Sequence, residues 1–368
     1  MQVVELIRTF RVIEAKLLQH LIQLVAVILL GLVLQSAADC PLSKAIIEGT
    51  NRIFKSADPV GNLDLKRTEQ VRTGEVLHMF CQANDIVRTT CLPNSTFSIP
   101  LPLGCNNPLA VSATIVADPS CPATTYSVGY VINNRQLELY RSCYDRGAVK
   151  ALFTTPLMYP KTIATERSCP QLTTDGALSD ADGNSFTPAN VFNSFNRILG
   201  RNQRFIRNNR DTVIIPARLT PSADYLFGDQ ICATSKYINV VPLFKSINDG
   251  NWQSIEKWVR TTVGVGGHMR IRTGVLGTLT LRGTERRRRQ HRIFLIGANK
   301  NPVPEWIFKV VRTAANQPHT VFLTYNNIFN NRRPSAPNFC RSVPCPVALA
   351  NTAAAGYTFC CNAASFNR

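Results

Sequence analysis

Apolar and polar positions change period several times along this chain, and each change marks a different kind of element. Strand-like alternation runs through Ser127-Val128-Gly129-Tyr130-Val131-Ile132 and Leu137-Glu138-Leu139-Tyr140, ahead of a polar loop region around Asp175 to Asp182. Pro188 to Arg210 reads as helical, with Arg197, Arg201, Arg204, Arg207 and Arg210 at spacings of 4, 3, 3 and 3 that keep them on one slowly drifting side. A short apolar strand follows at Val213-Ile214-Ile215 and a second near Tyr237-Ile238. A helix then begins around Asn248 and passes Arg260, with Trp252, Ile255 and Val259 as its buried stripe. Further β segments fall at Arg270 to Arg272, Gly277 to Leu281 and Arg292 to Ile296. Strands, then a helix, then strands predict an α+β fold.

Upstream of residue 125 the texture differs. Cys40 to Cys121 is rich in cysteine, proline and β-branched residues and has no long helical period, which predicts a small β-rich module. Leu24 to Leu34 is an uninterrupted apolar run of eleven, preceded by Arg8, Arg11 and Lys16 and followed by Ser36, Ala37 and Ala38. That is the grammar of a signal peptide cleaved near Ala38, the rival reading being an uncleaved anchor. The expected organisation is a leader over 1–38, a Cys-rich module over 39–124, a main domain over 125–335 and a Cys-rich tail over 336–368 packed on that domain.

Composition sharpens the compartment and the partner. All twelve cysteines lie after the leader, and none are spaced as C-x2-C. Disulfides in a secreted, extracellular protein are therefore expected ahead of zinc, with the pairing left open. Asn94-Ser95-Thr96 is a glycosylation sequon suited to the same compartment. The 41 Lys and Arg against 23 Asp and Glu leave a formal charge of +18, which attracts polyanions. Nucleic acid is the first candidate partner, with acidic glycans and membrane surfaces as rivals. Arg286 to Arg289 with Arg292 form a second basic cluster that reads as a hairpin tip. No stable membrane association is expected after leader cleavage, and edge strands could support a homodimer.

The informative stretch is Ile215-Pro216-Ala217-Arg218-Leu219-Thr220-Pro221-Ser222-Ala223-Asp224-Tyr225, then Tyr237 to Pro242, then Ile247-Asn248-Asp249-Gly250-Asn251-Trp252 and on to Arg260. Taken singly, Asn248 reads as a helix cap, Glu256 with Arg260 as a surface i,i+4 pair, and Asn239 as nothing in particular. Together they resemble the ββα-metal (His-Me finger) core of the DNA/RNA non-specific endonucleases. Leu139 to Asp145 and Gly356 to Cys361 resemble the secreted double-stranded-RNA-degrading nucleases of insects. The resemblance covers roughly 125–365.

It implies a central antiparallel sheet flanked by helices, and metal-dependent hydrolysis of nucleic-acid phosphodiesters without base preference. It further implies that Asn248 ligates one Mg2+ whose other ligands are mostly water, as suits that hard cation. Asn239 corresponds to a second active-site asparagine, Glu256 to the glutamate that organises the metal's water shell, and Arg260 to the arginine that neutralises developing charge. Counted from Arg218 these positions fall at +21, +30, +38 and +42, in the family's order. One departure is severe. Where the family has Arg-Gly-His, with the histidine as general base, this chain has Pro216, Ala217 and Arg218. A guanidinium is a donor only and does not deprotonate in the working range, so Arg218 can hold a phosphate but cannot draw a proton from water. His268, His291 and His319 are the other histidines of the domain, and none falls at the motif position. An impaired nuclease, a pseudonuclease that binds without cutting, and a structural secreted protein are the function classes these residues leave open.

Overall fold

The computed structural model describes residues 19–21, 23, 39–57, 61–264, 267–284 and 289–366. The leader expected before Ala38 lies almost wholly outside the described residues, as do Arg286, Arg287 and Arg288 of the second basic cluster. No helix of the described residues is long and apolar enough to cross a membrane.

The period-two segments pair into an antiparallel sheet of nine strands among the described residues. Its order is Ser342–Val343, Thr358–Cys361, Pro318–Tyr325, Trp306–Thr313, Met269–Leu276, Lys150–Met158, Arg135–Asp145, Thr124–Ile132 and Ser112–Val116. With helices packed against this sheet the fold is α+β, the class expected. Alternation along Trp306–Thr313 separates the two faces. Trp306, Phe308 and Val310 pack with Phe359 and Phe366 of the C-terminal tail. Ile307 and Val311 face the main core with Trp252, Ile255 and Val259. Cover on both sides is why this strand reads as a nearly continuous apolar run, and the same alternation turns Lys309, in the middle of that run, toward the main core. Between Arg135–Asp145 and Thr124–Ile132 the register shifts at Gly129, where a Cβ would stand 2.0 Å from the Leu137 carbonyl oxygen. Only glycine permits that approach.

Strand pairing carries the large sheet back to Ser112–Val116, upstream of the boundary expected at 125. The module before it is a four-stranded sheet, ordered Leu63–Leu65, Ile53–Ala57, Val76–Phe80 and Ile86–Thr90, stitched by Cys40–Cys91 and Cys81–Cys105. Its small core includes Leu226 and Phe227, which belong to the main domain, and the Phe54 and Phe227 rings meet at 5.2 Å. Cys121–Cys143, Cys169–Cys232, Cys340–Cys361 and Cys345–Cys360 complete the disulfides, leaving no cysteine free among the described residues.

The helix expected from Pro188 to Arg210 is shorter. Helix α1 spans Pro188–Leu199, with Thr187 as its cap and Pro188 in its first turn, and it ends where Gly200 takes φ 93°. Gln203 then organises an irregular loop, its Oε1 accepting from the Phe205 and Ile206 amides at 2.8 and 2.9 Å. Arg197 therefore stands on α1, while Arg201, Arg204, Arg207 and Arg210 follow the loop instead of one helical side; all five are exposed.

Candidate active site

The candidate site is built on a hairpin followed by a helix. Strand β1 (Ile214–Arg218) pairs antiparallel with β2 (Val240–Phe244), in register from Ile214↔Phe244 to Arg218↔Val240. The second strand starts three residues later than the Tyr237-Ile238 pattern suggested, because Tyr237–Asn239 forms a tight turn. Asn239 explains the turn. Its Nδ2 donates to the carbonyls of Thr220 and Thr234, both at 2.9 Å, and its Oδ1 accepts from the Thr220 amide at 2.8 Å. Fully buried, it latches the two ends of the connecting loop, so its amide positions Thr220 and the residues that follow. The loop is further tied by Cys169–Cys232 and by the Lys236–Asp175 ion pair at 2.7 Å.

Arg218 closes β1. One of its terminal nitrogens, Nη2, donates to Ser235 Oγ at 2.9 Å, while Nε is buried without a hydrogen-bond partner. Burial lowers the guanidinium pKa from its ordinary value, against the opposing influence of Tyr140. Among the described residues no hydrogen bond or ion pair joins Arg218 to Asn248, Glu256 or Arg260.

After β2 the chain enters a short helical turn, Lys245–Ile247, and then a widened turn, Asn248–Trp252, before helix α2 (Gln253–Thr262). Gly250 leaves helical geometry there (φ −95°, ψ −119°), and a Cβ on it would come within 2.9 Å of Ala355 Cα. The tail grips this turn through Asn251, whose Nδ2 donates to the carbonyls of Ala350 (2.8 Å) and Gly356 (2.6 Å) while its Oδ1 accepts from the Ala350 amide at 2.8 Å. Asn248 is half-buried, and its Nδ2 donates to Asp249 Oδ1 at 3.0 Å.

Along α2, Trp252, Ile255 and Val259 are fully buried, as the periodicity predicts. Glu256 and Arg260 follow Trp252 at four-residue intervals and so share its side of the helix. Arg260 Nη1 donates to Asp224 Oδ1 at 3.0 Å, and the Asp224 carboxylate is buried with its other oxygen unpartnered. Desolvation raises the Asp224 pKa, opposed by Arg260, Lys309 and Lys161. The Glu256 carboxyl is pushed up to about 7 by burial, opposed by Lys309 and reinforced by Asp224. The Trp252 indole N–H is close to Glu256 but outside hydrogen-bond geometry. Lys309 is itself buried, donating to Thr273 Oγ1 at 2.7 Å, and its ammonium lies 5.1 Å from the Trp252 ring centroid. The structure thus brings Glu256 and Arg260 together with Asp224 and Lys309. Lys309 had a visible signal, a charge interrupting the apolar run Trp306 to Val311, and Asp224 ended the Leu219 to Asp224 segment without being singled out.

Residues 121–366 match the family model described as DNA/RNA non-specific endonuclease. The chain belongs to that family. It is 25% identical over 315 residues to a salivary endonuclease of Lutzomyia longipalpis, covering 80% of this chain and 73% of that protein. It is 26% identical over 254 residues to the salivary protein Tsal1 of Glossina morsitans morsitans, covering 64% of this chain and 61% of that one. Among solved structures, a chain of an EndoG/EndoGI complex aligns at 19% identity with a TM-score of 0.37, over 54% of this chain and 76% of that one.

DNA/RNA non-specific endonucleases use divalent metal ions. No group of three or more His, Cys, Asp or Glu side chains among the described residues could hold one. A cation site of this family built on Asn248 would not require such a group. With Nδ2 engaged by Asp249, whose carboxylate is itself paired with Lys245, the Asn248 amide presents Oδ1 as its remaining hard oxygen donor. The residues present therefore fit a cation that keeps most of its waters. The three histidines within residues 121–366 lie elsewhere. His268 lies 5.4 Å from the Tyr159 ring, His319 lies 6.0 Å from Trp258, and His291 lines a cavity with Arg197. Trp258 is two residues beyond Glu256, hence about 200° around α2 from it.

Proposed function

We propose that this chain is a secreted, nucleic-acid-binding nuclease whose Mg2+-dependent hydrolysis of phosphodiester bonds is impaired because Arg218 occupies the position of the general base. The carrying observation is an asymmetry. Asn248, Glu256 and Arg260 keep the residue types the family uses, while the guanidinium of Arg218 accepts no proton and gives one nitrogen to Ser235. In hydrolysis a water oxygen bonds to phosphorus as an ester P–O bond breaks, and the water's proton needs an acceptor. Loss of a positioned base costs about 10²- to 10⁴-fold in rate. Bound at Asn248, the metal would supply charge stabilisation at the phosphate, which supports residual turnover. Secretion is supported by the six disulfides and by the salivary proteins it resembles.

The donor-only chemistry of Arg218 also favours a second reading, a pseudonuclease that binds extracellular nucleic acid without cutting it. Incubating purified protein with plasmid DNA and double-stranded RNA, with and without Mg2+, separates the two. Slow cleavage that disappears in Asn248→Ala supports the impaired nuclease, whereas intact substrate that is retained at low salt supports the binder. A protein that neither cleaves nor retains nucleic acid at low salt would overturn both, since phosphate contacts are strongest there.

A further inference from the structure

Two basic segments that are distant in sequence meet at the end of α1. The Leu199 carbonyl accepts from the Thr284 amide at 2.9 Å and from Thr284 Oγ1 at 2.8 Å. Those bonds tie the hairpin Thr280–Arg282/Gln290–Arg292 to the point where α1 gives way to the Arg201–Arg210 loop. Ser194 Oγ adds a bond to the Leu295 carbonyl at 2.7 Å, which fixes the following strand against α1. Arg197 and Arg292 consequently line a shared cavity of about 460 Å³, together with Phe294 and Asn299. Arg201, Arg204, Arg207, Arg210 and Arg282 are exposed beside these elements.

Among the described residues none of Arg197, Arg201, Arg204, Arg207, Arg210, Arg282 and Arg292 forms an ion pair, although Arg52, Arg141 and Arg260 all do so elsewhere. Guanidinium groups spread over a loop, a helix and a hairpin suit a repeating anion better than a single small one. Their planar forks match phosphate oxygens two at a time.

We propose that the surface where the paired strands Thr280–Arg282 and Gln290–Arg292 meet α1 is a docking site for the phosphate backbone of nucleic acid, independent of base sequence and built from elements other than β1, β2 and α2. It rests on the nucleic-acid reading above and adds to it a division of labour, with retention on this surface and bond cleavage on the α2 side. Sulfated glycans present comparable anions and are the competing partner in the test.

The test measures binding of the full chain to two 30-base-pair DNA duplexes of unrelated sequence, in EDTA, over about 50 to 200 mM salt. The variant Arg201→Gln/Arg282→Gln/Arg292→Gln is compared with Lys44→Gln/Arg72→Gln/Arg88→Gln, which removes equal charge from the N-terminal module. If each of the three arginines contacts a phosphate, the slope of log affinity against log salt shrinks by about 2 to 3 in the first variant. The loss is expected to be equal for both duplexes, while the module variant keeps the native slope. Replacing the same three arginines by lysine should restore most of the slope. Equal losses in the two glutamine variants would overturn the proposal, as would a first variant that loses heparin but holds duplex normally. A native protein that binds neither duplex at 50 mM salt would instead refute the nucleic-acid reading on which the proposal rests.

Discussion

On α2, Arg260 is held against the buried Asp224 carboxylate and Glu256 sits in the field of Lys309; on β1, Arg218 donates one nitrogen to the hydroxyl of Ser235 and, among the described residues, leaves another buried without a partner. The α2 side is a set of charges that constrain one another. The β1 side is a single cation in a half-desolvated position. Under the function proposed above, the site keeps its electrostatic framework without a group to move the proton, because burial and packing of α2 maintain the former while the latter would depend on one side chain.

The sharpest way to break this contrast is to give β1 a base. Arg218→His is expected to raise the Mg2+-dependent cleavage rate by about 10²- to 10⁴-fold, read from plasmid nicking. No gain would mean that Pro216 and Ala217, or the placement of β1 itself, also disable the site. Next in size is Arg260→Ala, which strands the Asp224 carboxylate. Removing one member of a buried pair costs about 3 kcal/mol or more, measured by denaturant unfolding. A loss below about 1 kcal/mol would show that Asp224 is neutralised by its other cationic neighbours.

Glu256 offers a pH test of comparable size. Its carboxyl is raised from 4.5 to about 7 in the folded chain, so the folded state holds that proton more tightly than the unfolded one. Stability from this group is therefore fully present below about 4.5 and is lost as pH rises through about 7, by about 3 kcal/mol in total. Glu256→Gln should flatten that decline in a profile of melting temperature against pH. A mutant profile parallel to the native one would show that the carboxyl ionises freely. The smallest effect is expected on β1, where Ser235→Ala removes one hydrogen bond to a charged group and should cost about 1.5 kcal/mol, the low end for such a bond. An unchanged melting temperature would mark the Arg218–Ser235 contact as inconsequential.

Legibility in the sequence followed how local each feature is. The stripe of Trp252, Ile255 and Val259 was readable because a helix repeats every few residues, and the strands of 124–145 because alternation is equally local. The end of α1 was misread as far as Arg210 because the arginine spacing continued the helical period past Gly200, whose φ of 93° stops it. The start of β2 was misplaced because the Asn239 amide binds backbone on both sides of a loop, a partnership no neighbouring residue announces. Asn251 was likewise invisible as the clasp between the Asn248 turn and a tail about a hundred residues away.

Composition and local pattern alone determined the α+β class, the expectation of disulfides among twelve cysteines, and the absence of a proton acceptor at Arg218, since all three follow from what the residues are. Which cysteines pair, how far the Glu256 carboxyl is pushed, and that the hairpin arginines join those of α1 were decided only by tertiary structure. Disulfide pairing, desolvation and charge density depend on distances between residues far apart in the chain, and those distances exist only once the sheet has closed.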